Sequence, residues 1–221
     1  MESTTPQLRT IDAAVHGRYF VRVPVTSPPG PALFSFHGYS EDAATNLAAV
    51  ERIPDLDRWL IVAVQALHPF YTKQQQVVAS WMTRQDRDLA INDNVRYVQR
   101  VVDAVTREFA CAGIVFAGFS QGVAMAYRAA AHITAAGVIA LAGDVPPDIT
   151  RAERSVLPHV LLGRGTADEW YTEQKMAADV ERLKTLATSV ETCVFQGGHE
   201  WTGSFAREAG GFLARLQKGM V

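Results

Sequence analysis

Residues 112–132, AGIVFAGFSQGVAMAYRAAAH, combine a short apolar run, a glycine-flanked serine and an alanine-rich stretch. The first part is β-branched and apolar, which favours a buried strand, and the last part has the composition of a helix. Between them, residues 118–122 (GFSQG) match the G-x-S-x-G pattern of a nucleophile elbow. Such a turn lifts a serine hydroxyl clear of the sheet, and its two glycines relieve the crowding around it. Ser120 is therefore the candidate nucleophile.

Strand and helix patterns alternate along the rest of the chain. Segments 17–25 and 31–38 are rich in valine, phenylalanine and tyrosine and are divided by the turn cluster 27–30. Residues 58–66 form a continuous apolar run, typical of a strand buried on both faces of a parallel sheet. Apolar residues spaced by three and four from Ile91 to Phe109 predict a long helix. Further strands are predicted at 112–118, 136–142, 157–162 and 190–195, and helices near 42–53, 121–132, 172–187 and 204–217.

This order predicts an α/β fold with a mostly parallel, doubly wound sheet flanked by helices. A length of 221 residues with 48% hydrophobic content fits one domain over residues 1–221, with residues 1–9 as a flexible tail. The connections 143–156 and 196–203 are too short for a separate cap domain. The long connection 66–87 either overhangs a site or is a surface loop pinned by its aromatic residues.

Charge and cysteine content restrict the partners. The net charge is −2 and the 21 lysines and arginines are scattered, so we expect neither a nucleic-acid partner nor an anionic membrane. The start lacks a signal-peptide pattern and no stretch approaches a membrane span, which predicts a cytoplasmic protein. Cys111 and Cys193 lack a C-x-x-C spacing and are interpreted as buried free thiols.

A serine hydroxyl needs a base to take its proton, so Ser120 predicts a later histidine at the same sheet edge. His199 fits, because it follows the glycines of residues 196–199 (QGGH) between the last strand and the last helix. The remaining histidines lie where structural roles are commoner: His16, His68, His132 and His159.

The base needs a carboxylate that holds its tautomer, and this acid should follow a strand between Ser120 and His199. Asp168 follows the apolar run 157–162 within residues 163–168 (GRGTAD). Asp144, at the end of the preceding strand, is the alternative acid.

An acyl-transfer site also needs two donors for the oxyanion. The backbone N–H of Gln121 opens the helix after the elbow, where the helix dipole favours negative charge. Tyr39 N–H is the second candidate, because it follows Gly38 at the end of an earlier strand. His37 is interpreted as a buried histidine that braces this loop.

Motifs for bound cofactors are incomplete. Residues 163–168 lack the third glycine of a dinucleotide fingerprint, and position 203 is glycine where a zinc-protease helix starting at His199 needs histidine. No P-loop lysine follows a glycine. We expect no metal, nucleotide or organic cofactor.

With Ser120, Asp168 and His199 in that order on an alternating β/α chain, the protein resembles the α/β-hydrolase superfamily from about residue 17 to residue 217. More narrowly, GFSQG, His37-Gly38 and Gly198-His199-Glu200 are similar to the phospholipase/carboxylesterase family, which includes carboxylesterases and acyl-protein thioesterases. The resemblance implies the catalytic and oxyanion roles given above and a nearly cap-free fold. The chain departs from the family's pattern at Val123, where a second glycine is usual, and at residues 39–41 (YSE), where the family has Leu-Gly-Asp.

We therefore expect a serine carboxylesterase that acts on short to medium acyl esters through an acyl-enzyme. Thioester or lysophospholipid hydrolysis uses the same groups, and a non-catalytic binding module is the alternative of another class. The expected partner is a small-molecule ester, and a homodimer is left open. Aromatic and apolar residues expected to line the pocket are Tyr39, Trp81, Met82, Trp170 and Trp201.

Overall fold

The computed structural model of the protein describes residues 6–24, 30–149 and 157–220. The first five residues of the expected tail, positions 27–29 of the turn cluster and positions 150–156 of the connection 143–156 lie outside the described residues. Residues 6–18 contain no helix or strand.

The elements alternate as the sequence predicts. The strands are β1 (Tyr19–Arg22), β2 (Ala32–Phe36), β3 (Leu60–Val64), β4 (His68–Tyr71), β5 (Val77–Ser80), β6 (Ile114–Phe119), β7 (Gly137–Leu141), β8 (Leu157–Gly165) and β9 (Ala187–Phe195). The helices are α1 (Ala43–Val50), α2 (Arg87–Glu108), α3 (Gln121–His132), α4 (Glu173–Leu183) and α5 (Gly203–Gln217).

The main sheet has seven strands in the order β1-β3-β2-β6-β7-β8-β9. Only β1 runs antiparallel to its neighbour in this sheet, as shown by its pairing with β3. The strands β2, β3 and β7 are buried along their whole length, because helices cover both faces of the sheet.

Side chains alternate between two hydrophobic cores along each central strand. In β2, Phe34 and Phe36 pack with residues of α2, α3 and α4, whereas Leu33 packs with residues of α1 and α5. This doubly wound arrangement confirms the predicted fold class. Among the described residues, the connections contain no separate cap domain.

The connection 66–87 is more ordered than the sequence suggested. It contains β4 and β5, which pair as an antiparallel two-stranded sheet, and Glu41 forms an isolated bridge to Ala79 of β5. The interpretation of this segment as a loop was wrong. Its strands carry little sequence signal, because each has only four residues and the first contains Pro69, a residue that strands disfavour.

The register of the parallel strands brings four loops to one edge of the sheet. Phe36 lies beside Gly118, Phe119 beside Leu141, and Gly165 beside Phe195. The segments that follow β2, β6, β8 and β9 therefore emerge together at the carboxyl edge, where open α/β sheets bind their ligands. None of the described helices combines the length and the apolar character needed to cross a membrane.

Candidate active site

Ser120 occupies a strained turn between β6 and α3. Its φ of 51° and ψ of −118° lie outside the regions that non-glycine residues usually adopt. A hydrogen bond of 2.9 Å from Ser120 N–H to Leu141 O ties this turn to β7. A Cβ at Gly118 would lie 2.4 Å from Gly122 O, and one at Gly122 would lie 2.1 Å from Phe36 O. Both positions of the elbow therefore require glycine.

His199 and Asp168 form a direct pair. His199 Nδ1 lies 2.9 Å from Asp168 Oδ2 and 3.1 Å from Oδ1. The Asp168 side chain is fully buried, and its Oδ1 also accepts the backbone N–H groups of Trp170 (2.8 Å) and Tyr171 (2.9 Å). With Nδ1–H donating to the carboxylate, the neutral imidazole keeps Nε2 as its free acceptor. The pair can therefore accept and stabilise a proton at Nε2.

The base lies beside the elbow. The ring centroids of His199 and Phe119, the residue before Ser120, are 5.0 Å apart. The hydrogen bonds among the described residues do not include one between the Ser120 hydroxyl and His199. In enzymes without bound substrate this bond is often long and tightens only in the substrate complex.

Asp144, the alternative acid, lies apart from His199. Its side chain is 56% exposed and faces Lys175, whose Nζ lies 3.4 Å from Asp144 Oδ2. The structure therefore brings Asp168, and not Asp144, to the histidine.

The turn 38–41 leaves one of its backbone donors free. Gly38 N–H donates to Glu41 Oε2 at 2.7 Å, Ser40 N–H to Ala79 O at 3.2 Å, and Glu41 N–H to Gly38 O at 3.4 Å. Tyr39 N–H has no such partner among the described residues. At the elbow, Gln121 is the first residue of α3. Its N–H likewise has no partner among the described residues, as expected in the first turn of a helix. The two amides chosen from the sequence are thus both available to an oxyanion.

His37 braces the turn, as expected from its sequence position. Its Nδ1 lies 2.7 Å from Gly38 O, and its Nε2 accepts Ala66 N–H at 3.0 Å. Because Nε2 accepts, Nδ1 carries the proton and donates to the carbonyl. Burial lowers the pKa of His37, which favours the neutral ring that this arrangement needs.

Trp81 does not line a pocket. Its side chain is fully buried, packs edge-on against Phe36, and donates Nε1–H to His37 O at 2.8 Å. The expectation that it contacts substrate is corrected: the indole is a core side chain whose polar atom holds the segment before the oxyanion turn. An aromatic residue in a loop gives no sequence signal that separates these two roles.

Sequence reasoning also missed the side chain of Gln121. Its Oε1 accepts Trp81 N–H (2.8 Å) and the Ser80 hydroxyl (3.2 Å), and its Nε2 donates to Met82 O at 2.9 Å. Asn94 of α2 extends the connection by donating to Trp81 O at 2.8 Å. These hydrogen bonds connect the elbow to the end of β5 and the residues that follow it. The polar type of residue 121 was visible in the sequence, but its partners lie about 40 positions away.

The other expected pocket residues occupy different environments. Trp170 is 75% exposed, and its ring centroid lies 6.4 Å from that of His199. Tyr39 is exposed and stacks on Phe70 of β4 at 5.5 Å. Met82 is half-buried against the core, and Trp201 packs on Phe205 of α5 at 5.4 Å. Of the residues expected to line the pocket, Trp170 has its ring near His199.

Most of the sequence matches a known protein family. The model of the phospholipase/carboxylesterase family matches residues 27–217. The chain belongs to this family. The match extends over nearly the whole sequence and confirms the resemblance inferred from the elbow and the residues around it. No curated protein matches the chain by sequence.

Solved structures of similar fold include members described as esterases and thioesterases. Esterase PE8 superposes with a TM-score of 0.73 at 22% identity, over 91% of this chain and 100% of the esterase. The Bacillus cereus carboxylesterase gives 0.73 at 15% identity, over 90% and 94% of the two chains. Acyl-protein thioesterase 2 of Zea mays gives 0.72 at 16% identity, over 91% and 100%. At these identities the similarity shows a shared fold.

Proposed function

We propose that this member of the phospholipase/carboxylesterase family is a serine carboxylesterase that uses Ser120, His199 and Asp168. The observation that carries the proposal is the pairing of His199 with the buried Asp168 beside an elbow whose serine has a φ of 51°. Two unbonded backbone donors, Tyr39 N–H and Gln121 N–H, supply the remaining requirement of acyl transfer.

The chemistry follows from these groups. Ser120 Oγ attacks the ester carbonyl carbon while His199 Nε2 takes its proton. Asp168 stabilises the resulting imidazolium through Nδ1–H, and the two amides stabilise the oxyanion. The intermediate collapses as Nε2 returns the proton to the leaving alcohol, which leaves an acyl group on Ser120. Water then attacks the acyl carbon while His199 Nε2 takes its proton. The second intermediate collapses as Nε2 gives this proton to Ser120 Oγ, which breaks the acyl–serine bond and releases the acid.

The substrate is proposed to be a small ester with a short to medium acyl chain. The exposed Trp170 beside His199 offers apolar surface for an acyl or alcohol group. Thioesters remain the second candidate, because the same groups cleave them and the fold is shared with a solved acyl-protein thioesterase.

Matched p-nitrophenyl esters and acyl thioesters of increasing chain length test the proposal, with Ser120→Ala as the control. We expect kcat/KM for esters of about two to eight carbons to exceed that for longer chains, and Ser120→Ala to lose about a millionfold in kcat. Higher kcat/KM for thioesters would establish the second candidate. Failure to turn over either class would favour a binding module.

A further inference from the structure

The geometry points to Glu41 as a positioning residue whose side-chain carboxylate closes the turn 38–41 and holds Tyr39 N–H at the candidate oxyanion hole. This inference rests on the proposed function, because it concerns the donor that the reaction would use. Glu41 itself need not touch the substrate.

The turn is closed by two reciprocal hydrogen bonds. Gly38 N–H donates to Glu41 Oε2 at 2.7 Å, and Glu41 N–H donates to Gly38 O at 3.4 Å. The second bond is long, so the short bond to the carboxylate is the stronger closure. Between these residues, Ser40 has a φ of 61°, which a serine adopts only where its surroundings impose it.

The outer side of the turn is held by β5. Ser40 N–H donates to Ala79 O, and Ala79 N–H donates to Glu41 O at 2.8 Å. These bonds fix residues 40 and 41 but leave the peptide between Gly38 and Tyr39 without a backbone partner for its N–H. Two side chains therefore act on the half of the turn that presents the donor: His37 donates to Gly38 O, and Glu41 accepts Gly38 N–H.

Glu41 also lies near Phe119, the residue before Ser120. A Cβ placed at Gly38 would lie 3.1 Å from both Glu41 Oε2 and Phe119 Cδ1, so the carboxylate and this ring border the same small space. Phe119 in turn packs on His199. Burial raises the pKa of Glu41, Asp42 raises it further, and the Gly38 N–H bond and His199 lower it. Burial therefore disfavours the charged form of the Glu41 carboxyl, whereas the Gly38 N–H bond and His199 favour it.

Three variants separate closure of the turn from charge. Glu41→Ala removes the acceptor, Glu41→Gln keeps an acceptor without the charge, and Asp42→Asn removes a neighbouring charge while keeping the cap of α1. We expect Glu41→Ala to lower kcat about 10- to 100-fold with KM changed less than about threefold, since a misplaced donor loses transition-state stabilisation. Glu41→Gln should recover most of kcat, and Asp42→Asn should match the wild type.

Affinity for an aryl boronic acid, which forms a tetrahedral adduct with a catalytic serine, provides a second readout. It should weaken in Glu41→Ala by about the same factor as kcat. Should Glu41→Ala fail to fold, Glu41→Met replaces it with the same expectation, because it keeps a long side chain but offers only a weak acceptor to Gly38 N–H.

A wild-type kcat in folded Glu41→Ala or Glu41→Met, or equal losses of kcat in Glu41→Ala and Glu41→Gln, would overturn the role of Glu41. Failure of the proposed function would look different, because the wild-type protein would then neither hydrolyse esters nor bind the boronic acid.

Discussion

Gln121 serves two parts of the molecule at once. Its backbone N–H is a candidate oxyanion donor, and its side chain holds the backbone of Trp81 and Met82. The strained Ser120 directly precedes it. The candidate nucleophile and a candidate oxyanion donor are therefore consecutive residues, and the side chain of the second is held by residues about 40 positions away.

The two candidate acids can be separated by substitution. Asp168→Asn keeps the shape of the side chain but favours the wrong tautomer of His199, so kcat should fall about 10⁴-fold. Asp144→Asn should change kcat less than about twofold, because Asp144 faces Lys175 at the surface. Steady-state kinetics of both purified variants decide the matter, and a large loss in Asp144→Asn alone would reverse the assignment.

Trp170 is predicted to act on substrate binding. Trp170→Ala should raise KM about three- to tenfold for aromatic or medium-chain esters, since one aromatic contact is lost, and leave kcat within about twofold. The backbone N–H that donates to Asp168 is retained in this variant. Phe20→Ala, at an exposed aromatic residue on the edge strand β1, is the control. Unchanged KM values across the ester series would remove Trp170 from the pocket.

For single residues, the sequence predicted which side chains lie together better than how deeply each one is buried. The juxtaposition of Asp168 and His199 followed from motif order and strand ends. The burial of Trp81 did not, because its partners Phe36 and His37 meet it only through the folded sheet.

Among the elements, the two-stranded sheet of β4 and β5 supports the turn 38–41. Ala79 of β5 bonds the turn, and the following Trp81 bonds His37 O. The apolar spacing of α2 and the apolar runs of the central strands were visible in the sequence. The four-residue strands β4 and β5 were not. Short strands owe their existence to tertiary pairing and carry little local signal.

Trp81→Phe tests how much the hydrogen bond from the Trp81 indole to His37 O contributes to stability. The variant leaves His37 O without its indole donor in a buried place, so the free energy of unfolding should fall by about 1–3 kcal/mol. Denaturant titration measures this loss. We also expect a lower kcat at unchanged KM. An unfolding curve identical to that of the wild type would show that the hydrogen bond contributes nothing.

For the whole molecule, stability at acid pH should depend on the link between α3 and the segment after β7. The buried Arg128 guanidinium binds Asp148 through two bonds of 2.8 Å and, chiefly by this hydrogen bonding, lowers the pKa of that carboxyl below its ordinary 3.8. A lowered folded-state pKa stabilises the protein above the unfolded value, and this contribution is lost as pH falls through the folded value.

Asp148→Asn should therefore cost about 1–2 kcal/mol at neutral pH, less than for a wholly buried pair because water reaches Asp148. The difference from the wild type should shrink as pH falls below 3.8. Urea unfolding at several pH values measures both. A difference that grows toward acid pH would contradict the assigned pairing.

If Ser120 is an activated nucleophile, it should react with a fluorophosphonate, and peptide mass spectrometry detects the product. We expect one adduct on the peptide that contains Ser120, complete at one equivalent per chain, and none in folded Ser120→Ala. An unlabelled wild-type protein, or an adduct that persists in Ser120→Ala, would contradict it.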